Sequence, residues 1–208
     1  MPETSMWCST RSRAERLALA ALLAACLVCP AQANTGAGAS ASAAAPVLPG
    51  TGGHPQLAGS RLQGEATLRF FGMRVYSARL WTLPDFRSDR LGEQPLVLEL
   101  DYLRDLKGSA IAERSLQEMR RVGSFNEAQG QRWLEQMQRI FPDVKAGDRL
   151  TGQLLPGQGA AFWHNGRPTG RVPEAEFATL FFGIWLSPAT SEPDMRLALL
   201  GQATGSRR

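Results

Sequence analysis

Three arginines, Arg69, Arg74 and Arg79, lie inside the most strand-like stretch of the chain, GEATLRFFGMRVYSARLWTL from Gly64 to Leu83. A guanidinium is a planar fork of donors that matches carboxylate and phosphate oxygens. On a covered sheet it must find a partner, because an unpaired buried charge is costly. Each arginine is therefore either a solvated edge group or part of a binding site. Other reactive types are scarce. His164 stands beside Asn165-Gly166, a hairpin turn signal, and reads as a surface residue. His54 falls in a low-complexity leader, so no metal cluster is expected. Any Ser/His/Asp arrangement would have only His164 to draw on, and no nucleophile elbow accompanies it. Gly157 and Gly159 read as turn residues, not as a phosphate loop. No cofactor is expected.

The formal charge is +4, carried mostly by arginine, with acids interspersed. Nucleic-acid binding usually needs a basic stripe, and none is visible. Arg11, Arg13 and Arg16 precede an apolar run, Leu17 to Val28, that is too short to span a bilayer comfortably. Ala31-Gln32-Ala33 then places small residues where signal peptidase cuts. Residues 1–33 read as a secretory signal peptide, which implies a periplasmic protein. Leu23-Ala24-Ala25-Cys26 also resembles a bacterial lipobox, and lipidation at Cys26 is the alternative. That is the one membrane attachment expected. Cys8, Cys26 and Cys29 all precede Ala33, so cleavage there leaves no thiol as nucleophile or ligand. Residues 34–55 are rich in Ala, Gly, Ser and Pro and read as a disordered leader.

The elements follow from residue spacing. Gln56 to Leu62 is a short candidate strand. Gly64 to Leu83 reads as two strands about Gly72, or one long bulged strand, at the centre of a sheet. Leu96 to Tyr102 alternates, with Leu96, Leu98, Leu100 and Tyr102 on the core and Val97, Glu99 and Asp101 on a wetter face. Ser109 to Val122 and Asn126 to Phe141 have helical spacing, the second opened by an Asn126/Gln129 capping pattern. Strands are predicted over Arg149 to Leu155, Ala160 to His164 and Arg167 to Val172. Phe177 to Leu186 is apolar almost all round and predicts a deeply buried helix. Ser191 and Asp194 are expected to cap a last helix ending at Leu200, followed by a frayed tail over 202–208. Strands, two helices, strands, two helices is an α+β order: an open-faced, mainly antiparallel sheet with helices packed on one face.

The run GEATLRFFGMRVYSARLW, the Tyr102-x-Arg104 strand end, FPDVKAGDRL (Phe141 to Leu150) and FATLFFGIWLSP (Phe177 to Pro188), in this order, resemble bacterial chalcone isomerase-like proteins over residues 56–201. The resemblance implies an open-faced sheet, a helical layer and a cleft between them. Plant members include isomerases that close chalcones to flavanones and relatives that bind fatty acids. The isomerase arginine best matches Arg69, with Arg61 as second match. A threonine position falls near Tyr76. The tyrosine and asparagine positions fall near Lys107 and Arg114, so neither residue is retained. A further threonine corresponds to Thr179.

What survives is an arginine suited to an anionic head group. Arg69 anchors a carboxylate in this reading, or else it pairs with Glu99, Asp101 or solvent. Tyr76 donates its hydroxyl into the cleft, or it is a satisfied core residue. Tyr102 and Arg104 frame the pocket mouth, or they are a strand end meeting water. The expectation is an exported, non-catalytic domain that holds a small apolar or anionic-headed ligand, fatty-acid-like, between sheet and helices. The alternatives are an isomerase or lyase acting on an enone-type or phenolic substrate, and a structural envelope component.

Overall fold

The computed structural model describes residues 53–202. The signal peptide, the lipobox and most of the leader fall outside the described residues, as does most of the tail.

Six strands form one antiparallel sheet in sequential order. They are β1 (Arg61–Phe70), β2 (Met73–Thr82), β3 (Leu96–Tyr102), β4 (Arg149–Leu155), β5 (Gly159–His164) and β6 (Arg167–Val172). Helices α1 (Gly108–Val122) and α2 (Glu127–Ile140) are inserted between β3 and β4, and α3 (Ala175–Leu186) and α4 (Pro193–Leu199) follow β6. The two ends of the α1–α2 insertion meet in a bridge between Leu106 and Val144, so β3 and β4 stay neighbours despite it. The fold is α+β.

The Gly64–Leu83 stretch resolves into two strands joined at Phe71-Gly72. Both turn residues have positive φ, 47° and 79°, the geometry of a two-residue hairpin that matches strand twist. The placement differs from expectation. β1 is an edge strand, so the stretch borders the sheet instead of occupying its centre. Residues before Arg61 make turns, not the short strand expected from Gln56. Gly64 lets α4 lie on β1: a Cβ there would collide with the backbone of Ala198 and Leu199.

One sheet face carries the core. Leu96, Leu98, Leu100 and Tyr102 turn to it, as alternation predicts. The inner face of α3 fills it with rings, and Phe177, Phe182 and Leu186 are fully buried. α2 adds Trp133 and Met137, both fully buried. Asn126 accepts the Gln129 amide at 2.8 Å and caps α2, while the Gln129 side chain reaches Glu176 instead of closing the box. Replacing Asn126 by alanine is expected to cost about 1 kcal/mol, read as a lower urea midpoint at unchanged slope. Ser191 does not cap α4; the helix starts from Glu192 without a side-chain cap.

The opposite face is less wet than its residues suggest. Val97 and Glu99 are buried, 0% and 5% exposed. Residues 53–60 cross over them. His54 is itself 6% exposed, its ring tilted on Trp81 at 5.6 Å, and Gln153 donates to the Gln56 carbonyl. The boundary of the leader at residue 55 therefore falls too late, because His54 belongs to the folded domain.

Candidate functional site

β-Pairing places Leu68, Tyr76 and Tyr102 in one row across β1, β2 and β3. Side chains directly opposite in a ladder share a face, here the face that carries the core. Tyr102 is 2% exposed, whereas Leu68 and Tyr76 are partly buried. The two phenol rings meet edge to face at 5.8 Å. Trp185, near the end of α3, donates its indole N–H to the Tyr76 hydroxyl at 2.9 Å. Glu192, Arg114 and Glu118 lie close enough for their charges to act on the Tyr76 phenol.

Both phenols are held neutral. Burial pushes Tyr76 well above the ordinary tyrosine range, against the opposing effect of the Trp185 bond. Burial does the same to Tyr102, reinforced by Tyr76 beside it. A neutral phenol has one O–H to give. Tyr76 accepts from Trp185 and so keeps its own hydrogen uncommitted. The Tyr102 hydroxyl has no protein partner among the described residues. The pair therefore presents two donors that want an acceptor, next to the apolar edge of Leu68.

The rim above is ionic. Glu118, 5% exposed, takes Arg114 at 2.6 Å and Arg121 at 3.3 Å. Arg114 remains more than half exposed, with 57% of its side-chain surface open. Its guanidinium is thus reachable while anchored from below.

The expected site residues do not all gather here. Tyr76 and Tyr102 do. Arg69 does not: it follows Leu68 directly at the end of β1 but is exposed, opposite Arg74. A strand-end residue with no helix over it has nothing to hold it inward. Arg104 sits with the same hairpin, its Nη1 4.0 Å from the Met73 sulfur. Thr179 lies at the other end of α3, hydrogen-bonded to the Ala175 carbonyl and packed where a Cβ on Gly92 would strike it. The residues that sequence reasoning missed are Trp185 and Glu118. Trp185 was hidden in an all-apolar helix, and Glu118 reads as a routine helix-surface acid until its burial is seen.

A second group of charges lies on the opposite sheet face. Glu99 receives His54 at 3.1 Å, Trp81 at 2.9 Å, and Arg79 and Arg149 at 3.1 and 3.3 Å. Both arginines also pair with Asp101. A shallow depression of about 320 Å³ opens beside Asp101 and Arg149. Its charges already answer one another, so the group reads as a clamp for residues 53–60, not as a receptor.

The chalcone isomerase-like family model matches residues 57–201. The chain belongs to the chalcone isomerase-like family. It is also 32% identical over 139 residues to an uncharacterised protein of Haemophilus influenzae, covering 67% of each chain. Among solved structures it resembles the crystal structure of a fatty-acid binding protein of Arabidopsis thaliana, with a TM-score of 0.52 and 11% identity. That likeness covers 73% of this chain and 98% of the other. At such identity the likeness establishes a shared fold and leaves activity to the site.

Proposed function

We propose that this chalcone isomerase-like chain is an exported, non-catalytic binding protein for a small apolar molecule with an anionic or carbonyl oxygen at one end. The apolar part lies along the half-covered edge at Leu68, and the oxygen accepts from Tyr76 and Tyr102 below Arg114. The observation that carries this reading is the tyrosine pair, two neutral donors with no acceptor. The Tyr102 hydroxyl is not sealed from solvent, so a carboxylate oxygen can take the place of solvent as its acceptor. Export rests on the pattern of residues 1–33 and is part of the proposal. The isomerase alternative draws less support. Arg69 is exposed, and phenols raised by burial make poor proton acceptors at neutral pH.

The test is titration of the purified chain with a fluorescent polyene fatty acid. Saturable binding is expected. A hydrogen bond to a charged group contributes roughly 1.5–3 kcal/mol, so Tyr76→Phe with Tyr102→Phe should weaken binding at least about tenfold while far-ultraviolet circular dichroism stays unchanged. Absence of saturable binding, or equal affinity in the double variant, would remove the proposal.

A further inference from the structure

The β1–β2 hairpin carries a feature that the tyrosine site does not use. Among the described residues, Phe70, Phe71, Met73 and Leu103 are 45%, 78%, 52% and 39% exposed. They form one neighbourhood: the Phe70 and Phe71 rings meet at 4.5 Å, and the Leu103 amide bonds the Val75 carbonyl. Pairing with β3 stops at Tyr76 and Tyr102, so the tip projects beyond the sheet. Scattered exposed hydrophobics need no explanation, but a contiguous apolar tip does.

The charge along the hairpin itself is of one sign. From Leu68 to Tyr76 the sequence LRFFGMRVY contains no acid. Arg69 and Arg74 stand directly opposite each other in the ladder, where like charges repel. Neither has an acidic partner among the described residues; Arg104 lies against the Met73 sulfur, and its neighbour Asp105 accepts the Ala146 amide.

The turn itself is unusual. Phe71 has φ of 47° and Gly72 of 79°, and the β5–β6 hairpin makes nearly the same turn with Asn165 at 50° and Gly166 at 80°. Asparagine is at home in that conformation, and a bulky aromatic is not. Neither the turn nor burial accounts for phenylalanine at this place.

We infer that the hairpin tip docks the protein on an anionic phospholipid surface. Phe70, Phe71 and Met73 enter the boundary between head groups and acyl chains, and Arg69, Arg74 and Arg104 pair with the phosphates. An apolar wedge with a basic rim is the pattern of interfacial binding, and the arginine fork fits phosphate. A protein partner fits less well. A stable protein interface buries about 800 Å² on each side, more than a projecting two-residue turn offers. The inference does not depend on the tyrosine site or on lipidation at Cys26.

The experiment is sedimentation of the full chain with vesicles of phosphatidylglycerol and phosphatidylethanolamine, against vesicles of phosphatidylcholine alone. The apolar run at 17–28 is common to all variants, so differences between variants are the readout. Phe71→Asn, which suits the turn, should lower partition roughly tenfold or more. Arg69→Gln, Arg74→Gln and Arg104→Gln should each lower it about fivefold on anionic vesicles only. Amide hydrogen exchange at residues 70–74 should slow when anionic vesicles are added. Equal partition of all variants, no preference for the anionic vesicles, or unchanged exchange at the tip would overturn the inference. So would a Phe71-dependent dimer without vesicle binding, which would assign the tip to self-association.

Discussion

Replacing Glu99 by alanine is expected to destabilise the domain by about 3–5 kcal/mol, one of the two largest losses expected. The reason is the number of groups that depend on one carboxylate. Its Oε1 takes His54 and Arg149, and its Oε2 takes Trp81 and Arg79. His54 Nδ1 accepts the Gln56 amide, so Nε2 is the donor toward Glu99. Truncation leaves His54 and Trp81 facing a gap, strips Arg79 and Arg149 of one of their two acids, and releases residues 53–60 from Val97. Urea unfolding at neutral pH measures the effect as a lower midpoint. A loss below about 1 kcal/mol would mean that the cluster behaves as a solvated surface network.

The same carboxylate sets a pH dependence whose sign can be worked out. Burial alone would raise its pKa. The His54 and Trp81 bonds, with the Arg149 and Arg79 charges, outweigh burial and bring it down to about 2. An unfolded glutamate titrates near 4.3. The folded state therefore binds this proton less readily than the unfolded state does. Its contribution is present above about pH 4.3, on the order of 3 kcal/mol, and is lost as pH falls toward 2. Glu99→Gln removes that titration. Wild type and variant should differ by a constant amount above about pH 4.3 and converge only as pH falls to about 2.

Elements with a strong period were legible in the sequence. β3 begins and ends where alternation places it, β4 and β6 keep the bounds expected for them, β6 as the return strand of the Asn165-Gly166 turn, and α3 is buried as its composition requires. What local pattern cannot carry is the order of strands in space. Nothing in Gly64 to Leu83 distinguishes an edge from a centre, because its apolar content answers partly to α4, which lies far away in sequence, and partly to an exposed tip within the stretch itself. His54 shows the converse. Its neighbours are low-complexity, yet Glu99, far away in sequence, holds it inside.

The site was half legible for the same reason. Tyr76 and Tyr102 fall on core-facing positions of two adjacent strands, and the β2–β3 register then brings them to one row. Arg69 lies in the same stretch, but it follows Leu68 directly and so alternates to the other side, while the register shift beside it leaves Val75 of β2 as the extra residue and sets Arg74 opposite Arg69. A bulge of that kind re-aims a side chain without leaving a mark in composition. Trp185 reaches Tyr76 across 109 positions of sequence, a separation that no spacing rule spans.

Phe181→Ala should bring a loss comparable to that of Glu99→Ala and show whether the core between sheet and helices is closed. Phe181 is 6% exposed. Its ring lies between 5.2 and 6.0 Å from those of Phe141, Phe162, Phe177, Phe182 and Trp185. Aromatic truncation at such a centre costs about 3–5 kcal/mol, because the surrounding rings cannot collapse fully into the space. At roughly 2–4 °C per kcal/mol for a domain of this size, the melting temperature should fall by about 10 °C. The cavity left is walled by rings, and an apolar cavity of that kind stays dry and admits benzene. Benzene should therefore raise the melting temperature of the variant and leave that of the wild type unchanged. Acyl binding at the Tyr76–Tyr102 row should persist in the variant at temperatures where it is folded, since that row lies at the margin of the ring cluster. If benzene stabilised both proteins equally, the wild-type layers would already hold an open space. The ligand would then belong among the phenylalanines of α3, not at the tyrosine edge.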